Sequence, residues 1–79
     1  MTKNHILKEC VRNSLIEYFE DLGSYQPKGI LKMITKCIEE PVIELILEKT
    51  KGNQSQTAEI LGISRNTLRK KMLLHNIHE

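Results

Sequence analysis

Basic and amide side chains recur at helical spacing near the C-terminus of this 79-residue chain. Four of them share the side of a helix that faces away from Leu68: Arg65, Asn66, Arg69 and Lys70. An arginine can donate two parallel hydrogen bonds to guanine, and an asparagine can pair with adenine. Flanking cations and hydroxyl groups can bind phosphates. The pattern predicts a helix that enters the major groove of double-stranded DNA, with a merely solvated basic face as the alternative.

Two short helices joined by a tight turn would position these side chains. Asn53 is the expected N-cap of the first helix, with Gln56 returning the bond as a capping box. Gly62 falls where the turn needs a residue that tolerates positive φ, and Ser64 is the expected N-cap of the second helix. An apolar set shared by both helices would be buried: Ala58, Leu61, Ile63, Leu68 and Met72. Together these features predict a helix-turn-helix.

The net charge of +2 divides unevenly along the chain. Residues 1–50 carry seven Lys or Arg and eight Asp or Glu, which gives −1, whereas residues 51–79 carry five against two, which gives +3. The basic character therefore lies in the predicted helix-turn-helix and favours a polyanionic partner for that half alone.

Two longer helices are predicted in the part of the chain that precedes the helix-turn-helix. Apolar residues recur from Leu7 to Leu22 at steps of 4, 4, 3 and 4, which indicates a first helix ending near Gly23. The loop 23–29 contains two glycines and a proline and predicts a sharp reversal. A second helix is expected over 30–50, with Pro41 kinking it and not ending it, because the apolar pattern resumes at once.

A symmetric homodimer best satisfies these patterns. The apolar residues of the second helix cover more than one face, which one other helix cannot bury, and a chain this short has a thin core. We therefore expect an all-α protein in which residues 1–50 are dimerisation helices that form a four-helix core. Residues 51–79 would project from it as paired DNA-binding regions, so the DNA site should be quasi-palindromic.

Three stretches give the chain a family resemblance: V-R-N-S-L-I-E-Y-F in the first helix, E-E-P-V-I-E around the proline, and residues 50–71. In order and spacing the chain resembles the Fis (factor for inversion stimulation) family of bacterial nucleoid-associated DNA-binding proteins from about Ile6 onward. Its second half also resembles the C-terminal helix-turn-helix of NtrC-type activators. The start at Met1 and the first-helix match disfavour a detached activator tail.

The resemblance implies an intertwined, cytoplasmic homodimer that regulates transcription and organises the nucleoid. It implies recognition helices held closer together than one turn of straight DNA, so the duplex must bend and an A/T-rich centre with a narrow minor groove is preferred. RNA polymerase and other transcription proteins are implied as further partners.

The resemblance also assigns roles to individual residues. Arg65 matches the family's main base-contacting arginine. Ser64 stands where an asparagine is usual, which keeps a cap and a donor but shortens the reach. Asn66 replaces a small residue and could add or obstruct a base contact. The remaining positions match residues that hold the DNA backbone: Asn53, Ser55, Thr67, Arg69, Lys70 and Lys71.

Departures from the family pattern predict altered binding. Gln56 stands where Fis proteins have an arginine, and Leu73 and Leu74 stand where they have lysines. With fewer phosphates neutralised, binding should be weaker and less dependent on salt. The family's N-terminal β-hairpin arm, which contacts site-specific recombinases, has no counterpart, so recombination stimulation is not expected.

Other reactive side chains predict no additional chemistry. Cys10 and Cys37 lack C-x-x-C spacing and are expected to be reduced core residues, and His75 and His78 to form an exposed tail. No metal site or cofactor is therefore predicted. No long apolar run occurs, so neither a signal peptide nor a membrane span is expected.

Enzymatic activity is not predicted. No Ser-His-Asp pattern, phosphate loop or pair of buried carboxylates can be placed, and Glu39 and Glu40 are expected on the solvent side of the second helix. A different alternative is a dimeric protein-interaction module without a DNA role, docked through the second helix and the Leu73–Leu74 pair. The charge asymmetry favours DNA.

Overall fold

Four helices make up the described part of the chain, residues 3–78 of a computed structural model. They are α1 (Lys3–Leu22), α2 (Ile30–Lys49), α3 (Gln54–Leu61) and α4 (Arg65–Leu74), and no strand occurs in that range. The predicted all-α class with four helices is confirmed. Within residues 3–78 no helix combines the length and apolar character needed to cross a membrane.

The long helix α2 continues through Pro41, as the resumed apolar pattern predicted. It begins directly after Gly29, whose φ of 70° places it in the left-handed region and completes the reversal from α1. At its other end Lys51 and Gly52 are both left-handed, with φ of 56° and 83°. The Gly52 N–H donates to the Leu47 carbonyl at 2.9 Å, which closes the helix and turns the chain into α3.

The apolar core lies between α2, α3 and α4. Leu61 and Ile63 are partly buried against it, and its buried apolar members are Ile43, Leu47, Ala58, Leu68, Met72 and Ile77. All five residues expected inside the helix-turn-helix therefore contribute. Ile77, which follows α4, is a core residue that the sequence did not predict. The chain reverses at Asn76, which has a φ of 55°, and the Ile77 N–H donates to the Met72 carbonyl at 2.8 Å.

Helix α1 lies outside this core and has no buried residue. It shares an open groove with α2 that Cys10 and Cys37 both line. The expectation that these cysteines are core residues is wrong for the single chain, since both are exposed free thiols. The reason is that the core is built on the second half of α2, around Ile43 and Leu47, whereas no residue in the first half of α2 is buried.

Candidate nucleic-acid interface

The N-terminus of α3 is capped by Asn53, as predicted. Its Oδ1 accepts the Gln56 backbone N–H at 3.0 Å. The Gln56 side chain was expected to accept the Asn53 backbone N–H in return. That N–H donates instead to the Thr50 carbonyl at 3.2 Å. Only half of the predicted capping box therefore forms, and the exposed Gln56 side chain is left for other partners.

The turn between α3 and α4 has the expected conformation. Gly62 has a φ of 78°, and its N–H donates to the Ala58 carbonyl at 2.9 Å. Ser64 is extended and its Oγ accepts the Thr67 N–H at 3.1 Å, which caps α4. The Ser64 hydroxyl also lies 3.0 Å from Thr67 Oγ1. These two predicted DNA-contacting hydroxyls therefore order the start of α4 and hydrogen bond with each other.

The outward side of α4 is a continuous exposed stripe. Its members are spaced three and four residues apart: Asn66, Arg69, Lys70 and Leu73. Leu68 and Met72 are buried on the opposite side. The predicted separation of polar donors from the core is therefore confirmed, and Leu73, 79% exposed, extends the donor face with an apolar side chain.

Two arginines of α4 are hydrogen bonded to the first turn of α3. Arg65 Nη1 donates to Ser55 Oγ at 3.2 Å, and Arg69 Nε donates to Gln54 Oε1 at 3.4 Å. All these side chains except Gln54 are exposed, so each guanidinium keeps further donors for a ligand. The α3 start and the α4 start form one surface, on which predicted residues Ser55 and Arg65 meet. Gln54 was not predicted, because a residue 15 positions away sets its role.

Lys71 differs from the other predicted contacts. Its Nζ lies 2.7 Å from Glu39 Oε2 on α2, and its side chain is half-buried. His75 Nε2 lies 3.1 Å from the second carboxylate oxygen, with only 4% of the His75 side chain exposed. The expectations that Glu39 faces solvent and that His75 lies in an exposed tail are wrong, whereas Glu40 and His78 are exposed as expected.

The two contacts stabilise the charged form of Glu39. The hydrogen bond from Lys71 is the largest cause of a lowered pKa at this carboxyl, followed by the hydrogen bond with His75, while partial burial opposes both. Lys71 is thereby neutralised within the fold. Arg65, Arg69 and Lys70 have no carboxylate partner among residues 3–78, so the positive charge of the site is concentrated on these three side chains.

Comparison with known proteins agrees with this architecture. Residues 36–73, from the first half of α2 almost to the end of α4, match the Fis family of bacterial regulatory proteins. A protein of Ralstonia nicotianae is 42% identical over 77 residues, covering 98% of this chain and 99% of its own length. One from Neisseria meningitidis serogroup A is 38% identical over 71 residues, covering 90% of each. Both bear the name "Putative Fis-like DNA-binding protein". The chain belongs to the Fis family of bacterial regulatory proteins.

Proposed function

We propose that this chain is a sequence-tolerant DNA-binding regulator that inserts α4 into the major groove of double-stranded DNA. The observation that carries the proposal is the position of Arg65. It is exposed on the first turn of a capped helix, and its guanidinium is hydrogen bonded to Ser55. N-terminal side chains of a recognition helix are those that reach base edges. The names of the two relatives support the same class of ligand.

The residues that the sequence predicted to contact DNA have the following roles in this proposal. Arg65 reads a guanine edge, and Asn66 adds a second contact beside it. Phosphates are bound around them by Asn53, Ser55, Ser64, Thr67, Arg69 and Lys70. Lys71 can join this set only by leaving Glu39.

A homodimer would present two such surfaces, and the single chain is not compact by itself. Its radius of gyration is 15.0 Å, against about 11.6 Å for a compact domain of this length. Its accessible surface is 6575 Å², against about 4,900 Å² for a compact monomer of its mass. The excess of accessible surface area is comparable with the area that one protomer buries in an obligate dimer interface. Apolar side chains on α1 and α2 account for much of it, including Leu7, Phe19, Leu31 and Leu45.

Two-fold pairing of recognition helices gives a quasi-palindromic site, and we propose that the dimer bends the DNA between the half-sites. Bending costs less where the central base pairs deform easily, so an A/T-rich centre is favoured although no side chain reads it. A bending dimer of this kind acts in the bacterial cytoplasm as a transcriptional regulator and as a component of the nucleoid.

Fluorescence anisotropy of a duplex of about 25 base pairs tests the proposal, titrated at several salt concentrations. We expect saturable binding that weakens with salt and weakens again when the A/T-rich centre is replaced by G/C pairs. Arg65→Ala should abolish specific binding without changing the mass of the dimer. Lys28→Ala removes the same charge from the loop between α1 and α2 and is the matched control. Equal binding by both variants would contradict the proposal.

The second candidate, a protein-interaction module, is favoured by one observation. Leu73 and Leu74 are 79% and 56% exposed beside the polar surface. Leu73→Lys separates the two functions, because a DNA-binding surface gains a cation there and a docking surface loses an apolar contact. We expect tighter DNA binding and a salt slope steeper by about 0.9 for each added phosphate contact. Unchanged DNA binding would favour the docking module.

A further inference from the structure

One carboxylate joins the proposed dimer helix to the proposed recognition helix. Glu39 of α2 accepts from Lys71 at 2.7 Å through one oxygen and from His75 at 3.1 Å through the other. An ionised carboxylate only accepts hydrogen bonds, so His75 Nε2 must carry the hydrogen that it donates to Glu39. Lys71 lies in the last turn of α4, and His75, four residues later, is the C-cap residue of that helix, so their side chains lie on the same side of its end.

This cluster continues the core along both helices. On α2, Glu39 is one turn before Ile43 and two turns before Leu47, both buried. Lys71 on α4 and His75 at its C-cap share the inner side of the helix with Leu68 and Met72. Lys71 therefore points toward α2, away from the exposed stripe of Lys70 and its neighbours.

The cluster adds a directional restraint to the packing of the apolar core. Apolar burial is non-directional, so the packing of Leu68 and Met72 is supplemented here by contacts with a defined direction. Charge-assisted hydrogen bonds have fixed lengths and directions. Two of them to one carboxylate restrain both the rotation of α4 about its axis and its tilt against α2.

We propose that Glu39 is a positioning residue that sets the angle of α4 on α2, and that Lys71 serves this contact and not a DNA phosphate. The inference rests on the proposed function. Because α2 belongs to the proposed dimer core, the angle of α4 determines how far apart the two recognition helices are held. Glu39 thereby determines which separation of half-sites the dimer accepts.

The first test measures tolerance to half-site separation. Wild-type protein selects a duplex from a random-sequence pool, and derivatives with one base pair added or removed at its centre are compared. Glu39→Gln should reduce the penalty for these changes by about threefold or more. Glu40→Gln removes the same charge from the exposed neighbouring position and should keep the wild-type preference. Retention of that preference by Glu39→Gln would overturn the proposal.

The second test measures the salt dependence of affinity for the selected duplex. Lys70→Met should lower the slope by about 0.9 for each subunit, whereas Lys71→Met should leave it unchanged. An equal loss in both would assign Lys71 to a phosphate and overturn the proposal. Far-UV circular dichroism verifies that each variant is folded. If Glu39→Gln is unfolded, the comparison of Lys70→Met with Lys71→Met is the deciding test of the proposal. Failure of wild-type protein to select any duplex would instead refute the proposed function.

Discussion

The side-chain oxygens of Thr50 and Thr57 lie 2.7 Å apart and join the C-terminal end of α2 to the buried face of α3. Thr57 has no exposed surface, and Thr50 Oγ1 also lies 3.3 Å from the carbonyls of Leu47 and Asn53. Two polar contacts thus attach the helix-turn-helix to α2, one at Thr50 and the other at Glu39. The apolar core lies between them, and each contact can be removed separately by mutation.

Thr57→Val keeps the shape of the buried side chain and removes its hydrogen bond to Thr50. We expect the free energy of unfolding to fall by about 1 kcal/mol, since the net contribution of such a bond is of that order and Thr50 keeps other acceptors. Urea denaturation at fixed protein concentration measures the change. Thr35→Val, at an exposed position of α2, is the control. Equal stability of the two variants would show that the hydroxyl pair contributes nothing.

Leu68→Ala and Leu73→Ala change the same residue type on opposite sides of α4. Leu68 is fully buried, and its truncation should cost about 2–5 kcal/mol through lost burial and a cavity. Leu73 is 79% exposed, and its truncation should cost less than about 0.5 kcal/mol. Urea or thermal unfolding of both variants measures the difference. A similar cost at both positions would contradict the orientation of α4.

The lowered pKa of Glu39 predicts how its contribution to stability depends on pH. A carboxyl whose pKa is lower in the folded than in the unfolded chain stabilises the fold above its unfolded pKa, here near 4.5, and this contribution is lost as pH falls through the folded value. The difference in Tm between wild type and Glu39→Gln should therefore be largest near neutral pH and shrink below pH 4.5. Calorimetry over this range measures it, with Glu40→Gln as control. A difference that persists at low pH would contradict the ion pair.

Phe19→Glu tests the proposed dimer. Phe19 is on α1, is 44% exposed in the single chain, and would be covered in a four-helix core, where an unpaired carboxylate is costly. Light scattering should give twice the chain mass of 9.2 kDa for wild type and a single chain mass for the variant. Tyr25→Glu, in the loop before α2 and 67% exposed, should remain dimeric. A monomeric wild type would exclude the dimer.

Local features of the site followed from the sequence because their partners are close in the chain. Asn53 and Ser64 each cap a helix by accepting from the N–H three residues later, and Gly62 adopts positive φ between them. The apolar spacing of Leu68 and Met72 likewise fixed which side of α4 is buried. Such features depend on residue type and helical period, both of which the sequence states directly.

Contacts between distant residues were decided by tertiary structure alone. Lys71 and Glu39 are 32 residues apart. The helical period placed Lys70, and not Lys71, on the side of α4 that faces away from Leu68, but it could not identify Glu39 as the partner of Lys71. The two cysteines were placed in a core that, in the single chain, does not extend to α1.

The sequence by itself determined the four helices, the turn, the caps and the exposed donor face that includes Arg65 and Lys70. Tertiary structure decided that Arg65 donates a hydrogen bond to Ser55 and that Lys71 pairs with Glu39. The physical reason is that helical period and capping act within one or two turns, whereas these pairings depend on the angles between helices. Those angles depend on packing of the whole core and on the polar contacts between helices, such as those of Glu39.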